Sequence, residues 1–82
     1  MKILVLGSGL MGPAAAFNAL SDPQISQVTL ADLSQEQLEK ARRKLQPMPD
    51  GEKLETRVLD LNDQASAVRL MSGFDTVIGA VP

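Results

Sequence analysis

Three glycines with the spacing G-x-G-x-x-G lie near the start of the chain, at Gly7, Gly9 and Gly12. They follow the apolar run 3–6 and precede an alanine-rich stretch, so the motif separates a predicted strand from a predicted helix. There the glycines permit a tight turn, close approach of a pyrophosphate, and close packing of helix on strand. The N–H groups and dipole at the helix N-terminus favour anions. Glycines in such turns also occur without a ligand. The predicted phosphate contacts are Gly7, Ser8, Gly9, Leu10, Met11 and Gly12.

An acidic residue, Asp32, follows Gly12 at the expected distance of about 20 residues and ends a second apolar run, 28–31. A carboxylate at this position can accept hydrogen bonds from the hydroxyl groups of an adenosine ribose, and it would repel a 2′-phosphate. The next residue is Leu33, and no arginine stands there to hold a phosphate. Asp32 and Leu33 therefore predict a dinucleotide site that prefers NAD to NADP. The alternative is that Asp32 only begins the turn before the next helix.

Two later segments end predicted strands that should reach the same site. At the end of the third strand, Asp60 is placed to contact the adenine amino group and Leu61 to cover the ring. Capping of the next helix by residues 62–63 explains this polar cluster equally well. At the end of the fourth strand, Ala80 and Val81 are small enough to let a cofactor pass where the strand order reverses. Their alternative role is simply to end the strand.

Strand and helix patterns alternate along the whole chain, in the order β-α-β-α-β-α-β. Strand–helix alternation with right-handed crossovers produces a parallel α/β sheet. We therefore expect a Rossmann-type fold with strand order 3-2-1-4. Because a complete doubly wound domain has more strands, residues 1–82 are expected to be the N-terminal part of a dinucleotide-binding domain, without the substrate and catalytic domain. The predicted strands are 3–6, 27–31, 54–61 and 74–81, and the predicted helices span about 10–20, 34–45 and 63–72.

Two helices carry further local signals. Residues 34–37 read Ser-Gln-Glu-Gln and match a capping box, so the second helix should begin there. In the third helix we expect Ala65, Val68 and Met71 to face inward, since they recur at helical spacing.

Composition limits the chemistry that the chain can perform. Its 82 residues are 44% hydrophobic and 22% charged with a net charge of −2, values that suit one globular domain without a nucleic-acid or membrane partner. The sequence has no cysteine and no histidine, so it lacks disulfides, the usual transition-metal ligands and the commonest general acid or base. We expect a cytoplasmic protein, no metal, and no catalysis by this segment alone. Open sheet edges make a homodimer possible.

Four blocks together resemble the N-terminal NAD(P)-binding Rossmann domain of the saccharopine dehydrogenase family, which includes the L-lysine 6-dehydrogenases. The resemblance covers nearly the whole chain. The blocks are 2–12 (KILVLGSGLMG), 28–34 (VTLADLS), 58–63 (VLDLND) and 74–82 (FDTVIGAVP).

This resemblance implies an oxidoreductase that transfers a hydride between a nicotinamide cofactor and the amine or imine carbon of an amino acid. By resemblance, the three glycines and Asp32 would contact the cofactor, and Ala80 and Val81 would flank its nicotinamide half. Some members carry arginine after the acidic residue and use NADP, and Leu33 departs from them. The catalytic groups of the family lie mainly beyond this segment, so none is assigned here.

A non-catalytic function is the main alternative. Regulatory Rossmann modules that sense nucleotides, such as the cytoplasmic domains attached to potassium channels, also carry G-x-G-x-x-G and a ribose-binding acid. A second domain of dehydrogenase type would distinguish the two classes.

Overall fold

The computed structural model describes residues 1–7, 11–60 and 62–79, with 11–13 described by their backbone alone. Within this part, four strands and three α-helices alternate, and a short 3₁₀ turn precedes β3. None of these helices has the length and hydropathy needed to span a membrane. The elements are β1 (Lys2–Leu6), α1 (Met11–Leu20), β2 (Gln27–Asp32), α2 (Gln35–Leu45), the 3₁₀ turn (Gly51–Lys53), β3 (Leu54–Val58), α3 (Gln64–Met71) and β4 (Thr76–Gly79).

All four strands form one parallel sheet in the order β3-β2-β1-β4, which confirms the predicted topology. The continuous apolar run of β1 lies in the centre, where its residues are buried from both sides. Leu4 pairs with Thr29 of β2 and with Val77 of β4. Each crossover places a helix against one face of the sheet, so both faces of β1 require apolar side chains.

Two hydrophobic cores lie on opposite faces of the sheet. One is formed by Ile3 and Val5 with α1 and α2, and the other by Leu4 and Leu6 with α3. The division follows from the alternation of side chains along a strand. Helix α1 contributes the small residues Ala16 and Ala19 to the first core, which lets it approach the sheet closely.

The N-terminus of α2 follows the predicted capping box only in part. The Ser34 hydroxyl accepts a hydrogen bond from the backbone N–H of Gln37 at 3.3 Å, as a cap should. The reciprocal bond from the Gln37 side chain is replaced, because the backbone N–H of Ser34 donates to Oδ1 of Asp32 at 3.0 Å. A carboxylate is the stronger acceptor. Asp32 is thereby tied to the start of α2.

Helix α3 is rotated relative to the sequence-based prediction. Ala67 is buried, with Leu70 and Met71 partly buried beside it, whereas Val68 is 66% exposed and Ala65 is exposed. The prediction of Val68 and Ala65 as inward-facing residues was therefore wrong. Two overlapping apolar stripes share Met71, and packing against Leu4 and Leu6 of β1 selects the stripe that contains Ala67.

Asp63 caps α3 and makes the stability of the first turn of this helix depend on pH. Its carboxylate accepts hydrogen bonds from the Ser66 hydroxyl (2.8 Å) and the Ser66 backbone N–H (3.3 Å), and these bonds hold the pKa of Asp63 below its ordinary value of 3.8. A lowered folded-state pKa gives stability that is complete above the ordinary value and is lost as the pH falls through the folded-state pKa. We therefore expect the first turn of α3 to loosen only on the acid side of pH 3.8. The Ser66 amide signal, followed by NMR from about pH 5 to about pH 2, measures this.

The variant Ser66→Ala provides the matched control for this titration. It removes the hydroxyl, which is the largest cause of the lowered pKa of Asp63, so the midpoint should move up toward the ordinary value. A midpoint at or above that value in the unmodified protein would contradict the capping argument.

Candidate cofactor-binding site

A cavity of about 190 Å³ opens at the carboxyl ends of β1, β2 and β3. Ligands of open parallel α/β sheets bind at the carboxyl ends of the strands. The cavity therefore lies where the sequence predicted a dinucleotide. It is lined by Gly7, Ala31, Asp32, Leu33, Leu59, Asp60 and Asn62.

Gly7 forms the turn out of β1. Its φ of 95° lies in the left-handed region, which residues with a Cβ rarely adopt. Its backbone N–H donates to the carbonyl oxygen of Ala31 at 2.7 Å, so the turn is held against the end of β2. Helix α1 then begins at Met11 with no acidic side chain in its first turn. This arrangement leaves the positive end of the helix dipole without a competing carboxylate of its own first turn.

Asp32 is the last residue of β2, and the structure shows two roles for its side chain, one in the turn before α2 and one in the lining of the cavity. Its Oδ1 accepts from the backbone N–H of Ser34, so it does begin the turn before α2. The same partly buried side chain also lines the cavity. Because a carboxylate has about four acceptor sites, the bond to Ser34 is compatible with further hydrogen bonds to a ligand.

Leu33 lies beside Asp32 on the wall of the cavity, and 64% of its surface is exposed. None of the described lining residues carries a positive charge. The two charged side chains of the lining, Asp32 and Asp60, are both acidic. This wall therefore suits neutral hydroxyl and amino groups better than a phosphate.

The segment after β3 remains attached to the end of β2. The backbone N–H of Leu59 donates to the carbonyl oxygen of Asp32 at 2.9 Å, and the side chain of Leu59 is only 7% exposed. Oδ1 of Asp60 accepts from the backbone N–H of Asn62 at 2.9 Å. Helix capping belongs to Asp63, so Asp60 and Asn62 line the cavity instead.

Three lining residues were missed from the sequence, namely Ala31, Leu59 and Asn62. Ala31 and Leu59 are apolar and fall within the predicted strands 27–31 and 54–61. Asn62 is predicted from the sequence only as a possible helix cap. The position of all three at the carboxyl ends of strands was the available signal.

The predicted site residues divide into two groups. Gly7, Asp32, Leu33 and Asp60 come together around the cavity. Met11 and Gly12 begin α1, where only their backbone is described. The remaining predicted contacts lie outside the described residues: Ser8, Gly9, Leu10, Leu61, Ala80 and Val81.

The cavity offers hydrogen-bond acceptors and a glycine turn, which are features of a binding site. Across residues 1–7, 11–60 and 62–79, no group of three His, Cys, Asp or Glu side chains is arranged to hold a metal ion. A family model described as the saccharopine dehydrogenase NADP binding domain matches residues 3–82. The chain belongs to this family. The resemblance recognised in the four sequence blocks is thus confirmed.

A solved structure supports the fold of this NADP-binding domain. The apo form of a histidine-tagged saccharopine dehydrogenase (L-Glu forming) from Saccharomyces cerevisiae superposes with a TM-score of 0.78 at 20% sequence identity. The match covers 99% of the present chain and 16% of the yeast chain, so the domain corresponds to about one sixth of that protein. At this identity the likeness establishes the shared Rossmann-type fold.

Family membership also identifies the class of ligand. The family description supports a nicotinamide dinucleotide as cofactor. It names NADP, so the sequence-based preference for NAD over NADP is not confirmed by it.

Proposed function

We propose that this domain binds the adenosine half of NAD at the cavity beside Gly7 and Asp32, and that it orients the cofactor within an amino-acid dehydrogenase. The observation that carries this proposal is the position of the Asp32 carboxylate, which lines a cavity that also contains the glycine turn of β1. Family membership supports the cofactor class. When bound, the nicotinamide supplies the hydride acceptor or donor, and the described residues bind and orient the cofactor.

Individual residues have separate roles in this proposal. Asp32 accepts hydrogen bonds from the ribose hydroxyls, and Asp60 accepts one from the adenine amino group. Gly7 turns the chain so that the N-terminus of α1 faces the phosphates, together with residues 8–12. Residue 61 covers the adenine, and residues 80–81 flank the nicotinamide half.

Charge is the argument for NAD. Two like unit charges about 4 Å apart repel by roughly 4 kcal/mol at an effective dielectric constant of 20. A 2′-phosphate would meet Asp32, with Leu33 beside it and no cation among the described lining residues. Fluorescence titrations of the purified protein with NADH and NADPH test the proposal, and we expect NADH to bind at least tenfold more tightly. Equal or tighter binding of NADPH would overturn the NAD preference, and binding of neither would overturn the site.

Leu33→Arg should shift this preference toward NADPH. Leu33 is exposed on the wall of the cavity, so an arginine there can extend to a 2′-phosphate without displacing core side chains. We expect the NADPH/NADH affinity ratio to rise about tenfold, which corresponds to roughly 1.4 kcal/mol. The control Leu33→Gln, which adds a polar side chain without charge, should leave the ratio nearly unchanged. An equal change in both variants would show that charge is not the cause.

The reaction of the parent protein is the second part of the proposal. We infer hydride transfer at the amine or imine carbon of an amino acid, the reaction that the family resemblance implies. The assay is reduction of NAD by the full-length parent protein, with amino acids compared against the corresponding 2-hydroxy acids. Turnover of the hydroxy acids alone would contradict the inference.

A further inference from the structure

A second and larger depression, of about 540 Å³, lies on the face of the sheet that carries α3. Helix α3 packs on the central strand through Leu4 and Leu6, so the outer part of this face, over β2 and β3, is left open beside it. We call this depression the α3 groove. It is lined by Gln27, Thr29, Glu55, Arg57, Val58, Leu59, Ser66, Arg69, Leu70, Gly73 and Phe74.

Two arginines face the α3 groove from opposite walls. Arg57 comes from β3, and Arg69 comes from α3. Among the described residues, no carboxylate lies within 4.0 Å of either guanidinium group. The acidic side chain of the groove, Glu55, accepts a hydrogen bond from Nε2 of Gln27 at 2.8 Å. The groove therefore carries a net positive charge with its two guanidinium groups available to an anion.

The floor of the α3 groove is already excluded from solvent. Thr29 is 2% exposed and Leu59 is 7% exposed, and the apolar wall beside them includes the partly buried Leu70 and Phe74. Val58, which also lines the groove, is 51% exposed, so apolar surface remains open to a ligand. The volume falls in the range of about 300–1,000 Å³ that is typical of small-molecule sites. Polar groups at the rim and apolar groups below suit a small ligand with an anionic head and an apolar body.

We propose that the α3 groove is a binding site for a small organic anion, whose carboxylate or phosphate group is held by Arg57 and Arg69. Guanidinium groups bind both kinds of oxyanion through paired N–H donors. The site is separate from the cofactor cavity but adjacent to it, since Leu59 lines both. An anion in the α3 groove thus contacts a residue whose backbone is hydrogen-bonded to Asp32.

The test is an NMR titration of the purified ¹⁵N-labelled protein with succinate and, separately, with inorganic phosphate, each against sodium chloride of equal ionic strength. We expect saturable shifts of the backbone amides of Val58, Ser66 and Gly73. Saturation with succinate alone identifies a carboxylate ligand, and saturation with phosphate alone identifies a phosphate ligand. Absence of saturable shifts with both probes, or shifts confined to Gly7 and Asp32, would overturn the proposal.

Charge-matched variants separate a defined site from general attraction. Arg57→Gln and Arg69→Gln should each weaken binding at least tenfold, and both side chains are exposed, so folding should be retained. Arg43→Gln removes the same charge from α2 on the opposite face and should leave the affinity within twofold. Equal weakening by Arg43→Gln would overturn the proposal. NADH affinity should be unchanged in all three variants without the anion, so this test is independent of the cofactor proposal.

Discussion

Asp32→Ala should weaken NADH binding by roughly 10- to 100-fold, because hydrogen bonds donated to a charged acceptor are worth about 1.5–3 kcal/mol. The carboxylate lies at the end of β2 and lines the cavity together with Gly7. Among the uncharged side chains of the described lining, only Asn62 could replace it as an acceptor for the ribose hydroxyls. Fluorescence titration with NADH measures the change. The effect on NADPH should be smaller or reversed, since the variant also removes a repulsive charge.

Two variants control for the local role of Asp32. Asp22→Ala breaks the same kind of turn, in which a carboxylate oxygen accepts from a backbone N–H two residues later at 2.9 Å, but it does so in the loop between α1 and β2. It should leave NADH binding unchanged. Asp32→Asn keeps an acceptor for Ser34 and removes the charge, so it should relax the discrimination against NADPH. If Asp22→Ala weakened binding as much as Asp32→Ala, the effect would be one of folding.

Gly51→Ala should destabilise the fold by roughly 3 kcal/mol or more, a large fraction of the total stability of a small domain. A Cβ at this buried position would overlap the carbonyl oxygen of Gln46 and lie 2.7 Å from that of Leu45. Both atoms belong to the backbone at the end of α2, so the overlap cannot be relieved by rotation of a side chain. The turn before β3 would have to move. Urea unfolding monitored by circular dichroism measures the loss.

Gly73→Ala is the matched control, since a Cβ there would meet the carbonyl oxygen of Leu70 at an ordinary contact distance of 3.6 Å. We expect its free energy of unfolding to change by less than about 1 kcal/mol. Comparable stability of the Gly51→Ala and Gly73→Ala variants would show that the α2–β3 turn adapts and that close packing at Gly51 is not required.

The strands and helices could be predicted from the sequence where only one local pattern fitted the residues. The uninterrupted apolar run of β1 allowed only a strand buried on both faces, and Ser34 was recognisable as the cap of α2. The prediction failed where two local patterns were equally good. Val68 and Ala67 lie on overlapping stripes of α3, and only contact with β1 distinguishes them.

The candidate site was predictable to a similar degree. Gly7 and Asp32 were found because glycine and an acidic residue at this spacing have a recognised use in phosphate and ribose binding. The sequence did not predict Asn62, Leu59 or the α3 groove. Their residue types carry no binding signal of their own, and they line a cavity only because separate segments of the chain meet there.

By itself, the sequence determined the order of strands and helices, the parallel sheet and the family, since these depend on local periodicity and on residues at fixed spacing. The tertiary structure decided which side chains share a surface. It placed Asp32 against Ser34 and in the lining of the cavity at the carboxyl ends of the strands, and it brought Arg57 and Arg69 to one groove. The physical reason is that burial and charge pairing depend on the distances between segments that are far apart in the chain. The crossover connections bring these segments together and so set those distances.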